Sequence, residues 1–235
     1  MSRIRWFKLT TNDDVNTLEN QIRSRIFSLN APISAGFRVE NKDTKGLSGQ
    51  FLHKRTIDQK ISLPSGEEFV QEVATIEITK FGIDFSASLG LLFLIDPPRS
   101  NTAFFSAFSE ATRFNCTIEP IEVNVEEWVR NLSKDCINVN VTYLDITGIN
   151  ISPGIQARLA IAGDKDVDLT MRKLINFGQG GKIESAKIRY EVNGEKNAVL
   201  ELGCRATLKT ASHFTSDTIQ IFQGAMLLSG VLHQT

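Results

Sequence analysis

Apolar residues along this chain recur mostly at every second position, with a few stretches at helical spacing between them, and that rhythm predicts an α+β fold. Ile4 to Thr10 reads as a short strand. Val15, Leu18, Ile22, Ile26 and Leu29 then follow helical spacing behind Asn12 or Asp13, either of which can cap. Between Ile33 and Ile61 the pattern offers only short extended pieces, around Phe37 to Val39 and Phe51, broken by a polar turn at Asn41 to Gly49. The turn Pro64-Ser65-Gly66 precedes clearer alternation from Val73 to Thr79, which sets Ile76 and Ile78 on a buried face. Phe81, Ile83 and Phe85 continue in the opposite parity, so a bulge is expected near Lys80 to Gly82.

Leu91 to Ile95 is continuously apolar, as a strand covered on both faces must be, and Asp96-Pro97-Pro98 ends it. An aromatic helix with Phe104, Phe105, Phe108 and Ala111 follows, capped by Ser100 or Asn101. Alternation returns at Ile121 to Val125, Val139 to Tyr143 and Ile155 to Ile161, with a helix around Glu126 to Leu132 between the first two. A further helix from about Asp166 to Asn176 runs into a glycine stop at Gly178 to Gly181. The best hairpin pairs Ala186 to Val192 with Leu200 to Leu208 across Asn193-Gly194. Thr215 or Ser216 then caps a last helix that is apolar almost all round.

These elements predict a large mixed or mainly antiparallel sheet with three to five helices. Residues 73–111 and 186–228 share the order strand, strand, apolar helix, which suggests two related hairpin-plus-helix units. A length of 235 residues fits one domain, residues 1–235, with subdomains 1–135 and 136–235 as the alternative division.

Composition adds exclusions. A hydrophobic fraction of 41% and a charged fraction of 23% can build a core, which sets intrinsic disorder aside. The first residues mix Arg3, Arg5, Trp6 and Lys8 and do not resemble a signal peptide, and no run is long and apolar enough to span a membrane, so a cytoplasmic protein is expected. Cys116, Cys136 and Cys204 are odd in number and lack CxxC spacing, which predicts buried free thiols rather than disulfides or zinc. The net charge of -1 hides segregation: residues 1–60 carry +5, residues 61–168 carry -9 and residues 169–235 carry +3.

Candidate chemistry is sparse. Gly178-Gln179-Gly180-Gly181-Lys182 follows a helix and leads into a strand, the reverse of a phosphate loop, and lacks the Ser or Thr after its lysine. Asp164, Asp166 and Asp168 alternate like calcium ligands but lack the glycine and distal glutamate of that loop. His53, His213 and His233 form no triad by spacing. No metal or cofactor is therefore predicted.

The leading expectation is a non-enzymatic binding or assembly component that contacts a protein partner or its own copies, using an interaction helix with Ile219, Phe222 and Met226. The first alternative is a nucleic-acid-binding protein whose basic surface comprises Arg3, Arg5, Lys8, Lys42, Lys45, Lys54 and Arg55. Arg99 and Ser100 add an anion site at a helix start. The second is a metal-dependent phosphodiesterase using Glu77 and Lys80 with Asp84 or Asp96.

Overall fold

The computed structural model describes residues 1–30, 35–86, 89–164, 166–167, 181–192 and 195–232. They form two compact units: Phe7–Glu119, and Met1–Trp6 together with Pro120–Thr235. The first strand, β1 (Ser2–Thr11), serves both units, with Ile4 and Trp6 buried in one core and Phe7 and Leu9 in the other.

In the unit of Phe7–Glu119 the order is β1, α1 (Val15–Ser24), β2 (Ala35–Lys42), β3 (Gly46–Ser62), β4 (Glu68–Asp84), β5 (Leu91–Ile95), α2 (Thr102–Ala111) and β6 (Cys116–Pro120). The strands lie side by side as β2-β3-β4-β5-β1, and β6 also pairs with β1. Helix α1 starts at Asp14, whose carboxylate accepts from the Thr17 amide at 2.7 Å. It ends at Ser24, so Leu18 and Ile22 reach the core, whereas Ile26 and Leu29, expected on the same helix, lie beyond its end and are exposed. An aromatic knot holds the sheet to α2. Phe37, Phe51 and Phe81 from three neighbouring strands pack on Phe104, with ring centroids between 5.3 and 5.7 Å from it. Edge-to-face rings at such distances add to the area they bury.

The other unit contains β7 (Glu122–Val123), α3 (Val125–Asp135), β8 (Ile137–Ser152), β9 (Ile155–Ala162), β10 (Lys182–Val192), β11 (Glu195–Gly203), β12 (Thr207–Thr210), α4 (Ser216–Leu228) and β13 (Val231–Leu232). Its strands run β1-β12-β11-β10-β8-β9, and every pair from β12 to β9 is antiparallel. β10 pairs with β11 as expected, but β11 ends at Gly203 instead of running on to Leu208, Thr207–Thr210 forms the separate strand β12, and the Asn193-Gly194 turn lies outside the described residues. The helix expected at about 166–176 and its glycine stop at 178–180 lie outside them too. Both tryptophans are buried and their indoles edge together at 6.0 Å. Trp6 Nε1 donates to Gln223 Oε1 and Trp128 Nε1 to the Phe222 carbonyl, each at 3.1 Å, so neither buried N–H is left unpaired.

The fold is thus α+β with antiparallel pairing and four helices among the described residues. The three cysteines are free and buried, as their spacing predicts. None of the described helices is long and apolar enough to cross a membrane.

Candidate interaction surface

The feature with the clearest unmet chemistry is the hairpin of β3 and β4. Seventeen consecutive pairs, from Gly46 opposite Asp84 to Ser62 opposite Glu68, run without a register shift. The expected bulge at Lys80 to Gly82 is absent. Because cross-strand partners share a face, the regular register sorts the hairpin into two rows. One contains Leu47, Ile83, Phe81, Phe51 and Thr79, all buried. It continues outward through the pairs His53 and Glu77, Arg55 and Thr75, Ile57 and Val73, Gln59 and Gln71, and Ile61 and Phe69. The other row carries Ile78, Ile76, Asp58, Glu72, Lys60, Val70 and Glu68. Ile76 and Ile78 are therefore on the open face, 42% and 55% exposed, where alternation alone had set them inside.

The base of the hairpin is fixed and its outer part is not covered. Beyond the aromatic knot, every residue from Arg55 to Lys60 and from Glu68 to Glu72 is exposed. Alternate residues of a strand point to opposite sides, so exposure of consecutive residues means that neither face is covered. At ~3.3 Å per residue the stretch Lys54 to Ser62 makes an arm about 30 Å long. Its tip is closed by Pro64, Ser65 and Gly66. Gly66 has φ +86, its amide donates to the Leu63 carbonyl at 2.9 Å, and Leu63 donates to Glu67 at 2.8 Å. Gly82 makes the base possible, since a Cβ there would sit 2.2 Å from the Phe93 ring.

From Ile57 to Phe69 the row that continues the core face holds no charged side chain, while the opposite row holds Asp58, Lys60, Glu68 and Glu72. The arm is amphipathic with its apolar side in water: Ile57 is 50% and Phe69 46% exposed, with Val70 at 60% on the other face. A hairpin of two strands without cover on either face is marginal on its own.

Of the residues singled out from the sequence, Lys54, Arg55, Glu77, Lys80 and Asp84 lie on this hairpin and the others fall elsewhere. Arg3 and Arg5 sit on β1 in the unit with Pro120–Thr235, where burial, followed by the nearby Arg205 and Arg3, lowers the Arg5 pKa. Lys8, Lys42, Lys45, Lys54 and Arg55 belong to the other unit, so the seven do not share one unit. Lys8 pairs with Glu119 at 2.8 Å, Lys42 with Glu19 at 2.6 Å and Arg55 with Glu77 at 2.8 Å. Lys45 is exposed in the turn before β3, and Lys54 Nζ lies 3.4 Å from the Leu29 carbonyl. Arg99 is exposed, and the Ser100 hydroxyl accepts from the Thr102 amide at 3.4 Å ahead of α2. Ile219, Phe222 and Met226 are buried within their own unit, so the last helix spends these side chains on its core.

For the phosphodiesterase alternative, Glu77 is engaged by Arg55, and the unshifted register puts Glu77 and Lys80 on opposite faces of β4. No three His, Cys, Asp or Glu side chains gather as a metal site among the described residues. A cavity of about 180 Å³ beneath α3, lined by Val125, Val129, Val141, Leu144 and Ala186, is below the usual ~300 to 1,000 Å³ of small-molecule sites.

No family model and no curated protein matches this chain.

Proposed function

We propose that this protein is a non-enzymatic assembly component that engages another macromolecule through the β3–β4 arm. The observation that carries this reading is the apolar row of the arm, with Ile57 and Phe69 exposed and Val73 and Ile61 half-buried, in line with residues that are core at its base. Burying such side chains stabilises by about 1.5 to 3 kcal/mol each, and the fold leaves that contribution to a partner. The aromatic knot fixes the base of the arm, so little ordering cost attends docking there. Nucleic-acid binding ranks below this reading because Lys8, Lys42 and Arg55 already hold carboxylate partners.

The full chain, recovered natively from its source cells, is expected to bring stoichiometric protein with it. The double variant Ile57→Ser/Phe69→Ser is expected to lose at least about tenfold of that recovery, because two anchor side chains of an interface carry that much affinity. Unchanged far-ultraviolet circular dichroism guards against misfolding. Equal recovery with the variant would sink the reading.

A further inference from the structure

The arm has two edges as well as two faces, and the edges differ. On β3, pairing with β2 ends at His53 opposite Ala35. On β4, pairing with β5 ends at Lys80 opposite Ile95. Among the described residues, Lys54–Ser62 therefore pairs only with Glu68–Ile76, and Glu77–Thr79 only with Phe51–His53, so each strand leaves one row of backbone groups facing outward. Proteins usually blunt such edges with prolines, bulges or short strands. This arm has none of these three, its proline being in the turn, its register unbroken and its strands 17 residues each; the protection it carries is charge, with Lys54 and Lys60 on β3 and Glu68 and Glu72 on β4.

Charge distinguishes the two edges. Lys54, Arg55, Asp58 and Lys60 give the β3 edge a net charge of +2, although Arg55 is already paired with Glu77 of β4 within the arm. Glu67, Glu68, Glu72 and Glu77 give the β4 edge -4, with no cation between Glu67 and Thr79. A two-fold dimer would set like edges together, glutamates on glutamates or lysines on lysines, and like charges across strands repel. An unlike pairing avoids this.

We propose that a second copy of this chain adds edge to edge, the β3 edge of one arm against the β4 edge of the next. This rests on the arm being the interaction element and goes further by naming its occupant. Arms pointing the same way place β3 against β4 antiparallel, which repeats the pairing already present within each arm. The contact is heterologous, so it does not close at two copies and leads to rings or open stacks. Backbone hydrogen bonds supply the joint and the side-chain charges select its polarity.

Light scattering of the full chain over a concentration series tests this. The expected mass grows past that of a dimer and falls as salt rises, because exposed charges are screened over ~10 Å at 0.1 M salt. Lys54→Glu/Lys60→Glu makes both edges acidic, and Glu68→Lys/Glu72→Lys/Glu77→Lys makes both basic. Each variant alone is expected to associate at least about tenfold more weakly, since like charges then face each other. A mixture of the two is expected to associate again, a rescue that misfolded variants do not give. A wild-type chain that stays monomeric, or variants that associate as it does, would overturn the proposal. Loss of all native recovery in Ile57→Ser/Phe69→Ser alongside a monomeric wild type would leave the arm as the interface with a different occupant. Undiminished recovery would remove the arm itself.

Discussion

Asp145 shows how one residue ties sheet geometry to pH. It lies on β8, 6% exposed, and accepts from Arg158 Nε on β9 at 2.8 Å, with a second contact from the same guanidinium. That hydrogen bond, working against burial, holds the Asp145 carboxyl below its ordinary range. A depressed folded pKa contributes stability that is complete above the unfolded value, ~3.9, and is lost as pH falls through the folded value. Arg158→Leu should therefore raise the Asp145 titration midpoint in a carbon-detected magnetic resonance titration. It should also shrink the loss of stability on acidification below about pH 4. An unmoved midpoint would show that the pair contributes nothing. Cys136 and Cys204 run the other way: burial pushes each thiol up to about 11, so these cysteines remain protonated and poor nucleophiles near neutral pH.

At the scale of elements, capping and periodicity do most of the specifying. Asn124 closes the start of α3 by accepting from the Glu126 and Glu127 amides at 3.0 and 3.2 Å, and those two glutamates also favour the positive end of the helix. Asn124→Ala is expected to cost about 1 kcal/mol in a urea unfolding curve with unchanged slope. The strand Leu91–Ile95, helix α2, the β10–β11 hairpin and the Thr215 cap of α4 were all legible in the sequence, because each has a buried face or a cap that leaves a periodic trace. Of the arm, Val73 to Thr79 was legible as a strand but Lys54 to Ser62 was not, because Ile57 and Ile61 are too few apolar positions to mark a strand there. The signal that could have found it was the Pro64-Ser65-Gly66 turn between two runs rich in β-branched residues. Ile76 and Ile78 were misplaced because alternation tells which residues share a face but not which face is covered. Sequence proximity likewise gave no information on the carboxylate partners of Lys8, Lys42 and Arg55 or on the division of the chain between Trp6 and Phe7.

At the scale of the whole molecule, a hairpin in each of the two compact units carries exposed large apolar side chains among the described residues. The tip of β8 and β9 repeats the theme in the other unit, with Ile151 and Ile155 exposed at 68% and 57% around the turn at Gly154. We propose that the exposed apolar residues of the β3–β4 arm become covered in an assembly. Amide hydrogen exchange across residues 54–79 tests that claim most directly, comparing the natively recovered assembly with the chain diluted until it dissociates. The account predicts that arm amides exchange at least about tenfold more slowly in the assembly, while those of Gly46 to Gln50 at the base keep their protection in both states. Arm amides that exchange equally fast in assembly and free chain would contradict it.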